Sequence, residues 1–212
     1  MASHEGALAP IGIPARLVRA SWALLAVLTA ASIVGTAVSP LLLVKAPLLL
    51  VVLAPDGRHV ALVAGRVDPL LLMGVTVVRR ALYSIGVYGL GAAYGDLAVT
   101  WIEARARGVG KALRALERVF ARVGAVLLLI LPFLTVCVLA GAARTRVVVF
   151  LPALLLGHCL WVVATVWLGT RFAGVSQSVV DFFSERLFES TLACIALVAL
   201  YQLVTRKKGT RA

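Results

Sequence analysis

The sequence predicts an all-α polytopic membrane protein with about four transmembrane helices, two re-entrant hairpins and an amphipathic basic helix. Three observations carry this. Of 212 residues, 62% are hydrophobic and 14% charged, with mean hydropathy +1.03; a soluble chain has about 45–50% apolar and about 25% charged residues. Such a chain has too little polar surface to cover a soluble globule, which excludes intrinsic disorder, a disulfide-stapled miniprotein and a cytosolic enzyme. Several uncharged runs are long enough to cross a bilayer, for which about 20 residues suffice. The net charge of +12, from 21 Lys+Arg against 9 Asp+Glu, gathers beside those runs. Basic residues there hold loops on the cytoplasmic side and meet anionic headgroups. No recognised nucleic-acid-binding motif accompanies the charge, so no nucleic-acid partner is expected.

Residues 1–15 are small and polar and read as a loose N-terminal segment. Residues 16–205 read as one membrane domain, and 206–212 as a basic cytoplasmic tail. Arg16 and Arg19 flank the run Ala20–Val44, which predicts a first spanning helix ending near Ser39-Pro40. A cleavable signal peptide is the rival reading. The length of the run and the apolar segment after it favour an anchor. Ala31, Gly35 and Ser39 recur every four residues, a small-residue face suited to close helix packing.

Residues 41–78 carry Pro47, Pro55 and Pro69 and the charges Lys45, Asp56, Arg58, His59, Arg66 and Asp68. Two apolar arms, Leu41–Ala54 and Val60–Val78, flank Pro55-Asp56-Gly57-Arg58-His59. Pro-Asp-Gly is a turn signal. The pattern fits a re-entrant hairpin or broken helix, which survives at membrane depth only where protein or a water-filled cavity surrounds it. An aqueous loop between two short tilted helices is the alternative. Arg79-Arg80 then precede the run Ala81–Ile102, where Gly91 and Gly95 form a GxxxG pair. That face is expected to pack tightly on a neighbour and to support a homo-oligomer. Asp96 falls late in the run, near a membrane face.

Glu103–Arg122 predicts the interfacial basic helix. Arg107, Lys111, Arg114, Arg118 and Arg122 oppose Val109, Leu113, Leu116 and Phe120. These five cations are the expected contacts to anionic lipid. Val123–Ala143 is uncharged but holds Pro132, a natural break. If this run dips in and returns, Arg144 and Arg146 stay cytoplasmic with Lys111, Arg114 and the tail, and both termini lie inside. The run Val147–Thr170 predicts another spanning helix, with His158 as a hydrogen-bonded packing residue. Asp181, Glu185 and Glu189 are expected to share one face of an amphipathic segment before the last apolar run, Ser190–Thr205. Arg79-Arg80 resist this scheme, since either path leaves them near the outer side. Cys137, Cys159 and Cys194 are odd in number and lie in apolar runs outside any CxxC or Cys/His cluster. Buried small hydrophobes are expected, without disulfide, metal or cofactor.

The residues Gly89-Leu-Gly-Ala-Ala-Tyr-Gly95-Asp96, the stretch Glu117–Gly124, and the string Ala140-Gly141, Phe150, Gly157, Trp161, Gly169 resemble the DedA/VTT-domain family of SNARE-associated Golgi-like membrane proteins. The match covers about residues 85–174 closely and a core from about residue 40 loosely. The Ala- and Arg-rich composition looks like a diverged member from a high-GC bacterium. The resemblance implies two facing re-entrant hairpins with inverted-repeat character in a bacterial cytoplasmic membrane. It also implies movement of lipids, polyprenyl phosphates or phospholipids, often with proton coupling. The family carries a carboxylate in the first hairpin and arginines in the second. This chain has no charge between Val123 and Ala143.

The leading expectation is therefore a lipid flippase or scramblase. Charges inside membrane segments are costly, about 2.5–3.5 kcal/mol each on insertion scales, so they are functional candidates. The candidates for substrate or proton handling are Asp56, Arg58, His59, Arg66, Asp68 and Asp96. Arg58 suits a lipid phosphate, the aspartates a proton, and His59 titration near neutral pH. A non-transporting membrane scaffold or assembly factor is the alternative, favoured by the uncharged second hairpin. No HExxH, GxSxG or paired intramembrane carboxylate points to an enzyme.

Overall fold

A computed structural model describes the backbone of residues 14–105 and 123–209, with side chains for 14–95, 123–203 and 205. Among the described residues the secondary structure is helical, with no strand. In chain order the helices are α1 (Ala15–Ala37), α2 (Ser39–Lys45), α3 (Pro47–Leu53), α4 (Gly57–Val63), α5 (Pro69–Arg105), α6 (123–130), α7 (Leu134–Ala142), α8 (Val147–Arg171), α9 (Ala173–Glu185) and α10 (Leu187–Gly209). Prolines place several starts: Pro40, Pro47 and Pro69 occupy first-turn positions, where a missing N–H costs nothing. Asp68 adds a cap to α5, its Oδ1 accepting the Leu71 N–H at 2.9 Å.

Among the described residues, three helices are long and apolar enough to cross a membrane: α1, the Pro69–Gly95 part of α5, and α8. The pair α9 and α10 qualifies as a fourth span only when taken together across a 96° bend. The chain is thus a membrane-embedded, multi-pass helical protein. Its exterior agrees, since Trp22, Val34, Leu156, Trp167 and Leu197 are exposed on these helices.

Four sequence expectations change. The Val60–Val78 arm is divided, because Pro69 starts a new helix and residues 69–78 belong to α5. Arg79 and Arg80 are therefore inside a spanning helix and do not flank one, so they carry no topological information. Glu189 leaves the face of Asp181 and Glu185, because α9 ends at Glu185 and Glu189 lies in the first turn of α10. Of the three cysteines only Cys137 is buried; Cys159 is exposed and Cys194 half-buried, all as free thiols.

The uncharged run 123–143 is helical on either side of a break at residues 131–133, around Pro132. At 1.5 Å per residue α7 reaches only about 14 Å, far short of a hydrocarbon core of about 30 Å. Phe133 N–H bonds Leu131 C=O and Cys137 N–H bonds Phe133 C=O, so backbone groups at the break have internal partners. The helix stops at Arg144 (φ 51°), where the Arg144 N–H bonds Gly141 C=O and the Thr145 N–H bonds Ala140 C=O. This is the left-handed Schellman stop with arginine in the usual glycine place. Of the basic helix expected over Glu103–Arg122, the backbone of 103–105 continues α5, and 106–122, with Arg107, Lys111, Arg114, Arg118 and Arg122, lie outside the described residues.

The chain divides into two compact units. Unit 1 holds residues 1–26 and 81–158, and unit 2 holds 27–80 and 159–212. In unit 1, α7 packs on α5 through glycines. A Cβ on Gly95 would lie 2.5 Å from the Ala142 Cβ, and Cβ atoms on Gly91 and Gly141 would strike the backbone of Val138 and Tyr88. The Gly91/Gly95 face expected to meet a second copy is therefore filled by α7 of the same chain. Phe150, Leu154, Leu128 and Cys137 form the core there. In unit 2, Leu43, Leu50, Val60, Leu72, Val162 and Val180 form the core. The face of Gly35 packs on α3, a Cβ there lying 2.7 Å from the Leu53 Cβ.

Candidate functional site

The site in unit 2 grows from a break in the backbone. After α3 the chain passes through Ala54, Pro55 and Asp56 before α4 begins at Gly57. A helix end leaves its last carbonyls without intrahelical partners, and water is not at hand inside a bilayer. Here four consecutive carbonyls are met by side chains. Arg79 Nε donates to Val52 O (3.0 Å) and Arg79 Nη2 to Leu53 O (3.2 Å). The His59 ring Nδ1 lies 2.9 Å from Ala54 O, and Arg80 Nε donates to Pro55 O at 2.9 Å. Arg79 Nη2 also reaches Leu28 O at 2.7 Å and Ser32 Oγ at 3.3 Å on α1. Arginine cations at a helix C-terminus also complement its partial negative charge.

Arg79 is 8% exposed, so it acts as a brace for the break. Arg80 sits differently. It is half-buried, and among the described residues only its Nε hydrogen-bonds. Asp56 is close enough to attract it electrostatically. Asp56 also pairs with Arg58 Nη2 at 3.3 Å and lies 3.9 Å from His59 Nδ1. Because a carbonyl only accepts, His59 Nδ1 carries the ring hydrogen, which leaves Nε2 as the atom that gains or loses a proton.

A cavity of about 340 Å³ opens beside this turn. Arg58 and His59 form part of its wall with Thr36 and Ser39; Leu43, Leu50, Leu62, Phe183 and Leu197 make most of the rest, and Cys194 faces it. The result is an apolar hollow with cationic and titratable groups at one side. Chemically it suits an amphiphile, with an anionic group against guanidinium and a hydrocarbon chain in the hollow.

Of the sequence candidates, Asp56, Arg58 and His59 come together here. Arg66 and Asp68 do not. Arg66 Nη1 donates to Leu43 O at 2.6 Å, closing the last turn of α2, and Asp68 caps α5. Both serve helix ends, so neither stands in the site. Asp96 lies on α5 with its side chain outside the description. Sequence reasoning missed Arg79 and Arg80. The signal was present in Asp68-Pro69, a helix start that puts both arginines near the middle of the 27-residue apolar stretch Pro69–Gly95. In unit 1, His158 Nε2 meets Ser84 Oγ at 3.1 Å, and both residues are buried, as its reading as a packing residue expects. Among the described residues no cluster of His, Cys, Asp or Glu is suited to a metal ion.

Comparison with protein-family models, with curated proteins and with solved structures finds no match to this chain.

Proposed function

We propose that this protein moves lipids with an anionic headgroup, a polyprenyl phosphate or a phospholipid, across a bacterial cytoplasmic membrane, as its resemblance to the DedA/VTT family implies. One observation carries the reading. Arg58 pairs with Asp56 and Arg80 donates to Pro55 O at the break between α3 and α4, and Arg58 reaches the wall of an apolar cavity. Intramembrane cations without a function are rare because they are expensive. Here Arg79 has a structural duty, while Arg58 pairs with one carboxylate, Asp56, and Arg80, among the described residues, makes a single hydrogen bond, to Pro55 O.

A lipid phosphate entering the site competes with Asp56 for the two guanidinium groups. As Asp56 loses them it becomes the natural proton acceptor, with the His59 ring 3.9 Å away through Nδ1. That exchange couples headgroup release to a proton without any further cofactor. Transport of headgroup-labelled phosphatidylglycerol in proteoliposomes tests the reading. Arg58→Ala abolishes movement. Arg58→Lys keeps part of it, since lysine retains charge but loses the planar two-point fork. Asp56→Asn alters the pH dependence. Wild-type rates in all three variants leave the scaffold reading ahead.

A further inference from the structure

We infer that unit 1 carries a second lipid site, a groove that retains one anionic phospholipid of the surrounding bilayer. The groove encloses about 560 Å³ between α1, α5 and α8, within the range of small-molecule sites, about 300–1,000 Å³. Its walls include Leu17, Ser21 and Leu24 of α1, Gly86 of α5, and Val147 and Phe150 of α8. Gly86 and Gly89 bring α1 and α5 together, since a Cβ on Gly86 would lie 2.9 Å from Leu25 Cγ.

The direction of the helices gives the groove one charged end. Leu25 of α1 packs beside Gly86, and Ser21 beside Gly89, so α1 runs antiparallel to α5. Ser84 meets His158 and Tyr88 stacks on Phe150 with ring centroids 4.2 Å apart, so α8 also runs antiparallel to α5. The starts of α1 and α8 thus lie at the same end. Arg16 immediately precedes Leu17 and Arg146 immediately precedes Val147; both arginines are exposed. Arg19 and Arg144 are close by in the chain, and the Asp96 backbone lies one turn beyond Ala92 on α5.

The apolar wall alone confers no preference, because lipid tails outside are as apolar as the groove. Selectivity comes from the arginines, and basic pockets between membrane helices are known to hold anionic headgroups. The occupant is therefore an anionic phospholipid with its chain in the groove and its phosphate at Arg16 and Arg146. The groove shares no residue with the unit 2 cavity, so the inference stands or falls apart from transport.

Photo-crosslinking tests it directly. Full-length protein is placed in phosphatidylcholine vesicles with a trace of phosphatidylglycerol or phosphatidylcholine bearing a diazirine in its acyl chain. The phosphatidylglycerol probe should label peptides 17–24, 85–92 and 147–151 at least about fivefold more than the phosphatidylcholine probe, the factor one basic group near an anionic headgroup contributes. Arg16→Gln with Arg146→Gln should bring the two probes to parity, while Arg58→Ala leaves the preference intact. Equal labelling of the wild type by both probes, or phosphatidylglycerol labelling equally strong at the exposed residues Leu160, Val163 and Trp167 of α8, overturns the inference.

Discussion

Two adjacent arginines, Arg79 and Arg80, divide structural and functional work by their partners. Arg79 is buried and holds Val52, Leu53, Leu28 and Ser32 together. Removing it strands carbonyls that no water can reach, and each lost bond to a charged donor costs about 1.5–3 kcal/mol. Arg79→Met should therefore destabilise the protein by about 2–4 kcal/mol and lower its melting temperature by about 5–15 °C. Arg79→Lys should recover little, because a compact ammonium lacks the fork that spans Val52 and Leu28. Thermal unfolding in detergent checks both; a wild-type melting temperature for Arg79→Met would remove the brace from the account. Arg80→Met, losing one bond to Pro55, should melt within a few degrees of wild type. None of this division was legible in the sequence, where both arginines looked like the edge of a membrane span. The turn residues Asp56, Arg58 and His59 were legible, because Pro-Asp-Gly between apolar arms marks a break and charges there stand out.

At the scale of elements, short helices are the distinctive feature: α2, α3, α4 and α7 each span at most about 14 Å. Their ends must find partners inside the chain, which is why Arg66, Asp68, Arg79 and Arg80 serve helix termini. The break at Pro132 was readable, since proline interrupts an uncharged run. The break at Ala46 and the early start of α5 are not legible in the sequence, because a proline in an apolar arm marks an interruption and a first helical turn equally well. The small-residue pattern at Gly91 and Gly95 was read rightly as a packing face, but periodicity cannot say which helix packs there. That contact gives a sharp contrast. Gly141→Ala places a methyl against the Tyr88 backbone carbonyl, and should destabilise by about 1–3 kcal/mol, as overpacking does. Gly74→Ala meets nothing within 4 Å and should stabilise α5 by about 0.5–1 kcal/mol. Parallel melting curves of the two variants decide this; equal shifts would contradict the packing.

For the whole molecule, the three long spans among the described residues, with a fourth if the bent α9–α10 pair counts as one, fit the composition, and Arg79-Arg80 drop out of the topological count because they lie inside a span. The remaining basic groups should place Thr145 and Gly209 on the cytoplasmic side. Single cysteines at those positions in a cysteine-free background should resist an impermeant thiol reagent in intact cells and react after permeabilisation. Labelling at 145 from outside would reverse that path. Of the candidate site, the sequence shows only a cluster of charge; the cavity, and Arg80 on Pro55 O, need three-dimensional contacts between α1, α2, α4, α5, α9 and α10. The central claim is that Arg58 and Arg80 together present an anionic-headgroup site to the lipid. Its most direct test is the rate at which purified Arg58→Ala/Arg80→Ala protein moves headgroup-labelled phosphatidylglycerol between leaflets, at matched incorporation and melting temperature. The account predicts a loss of roughly tenfold or more, the factor that about 1.4 kcal/mol of lost ion pairing produces; movement at the wild-type rate would contradict it.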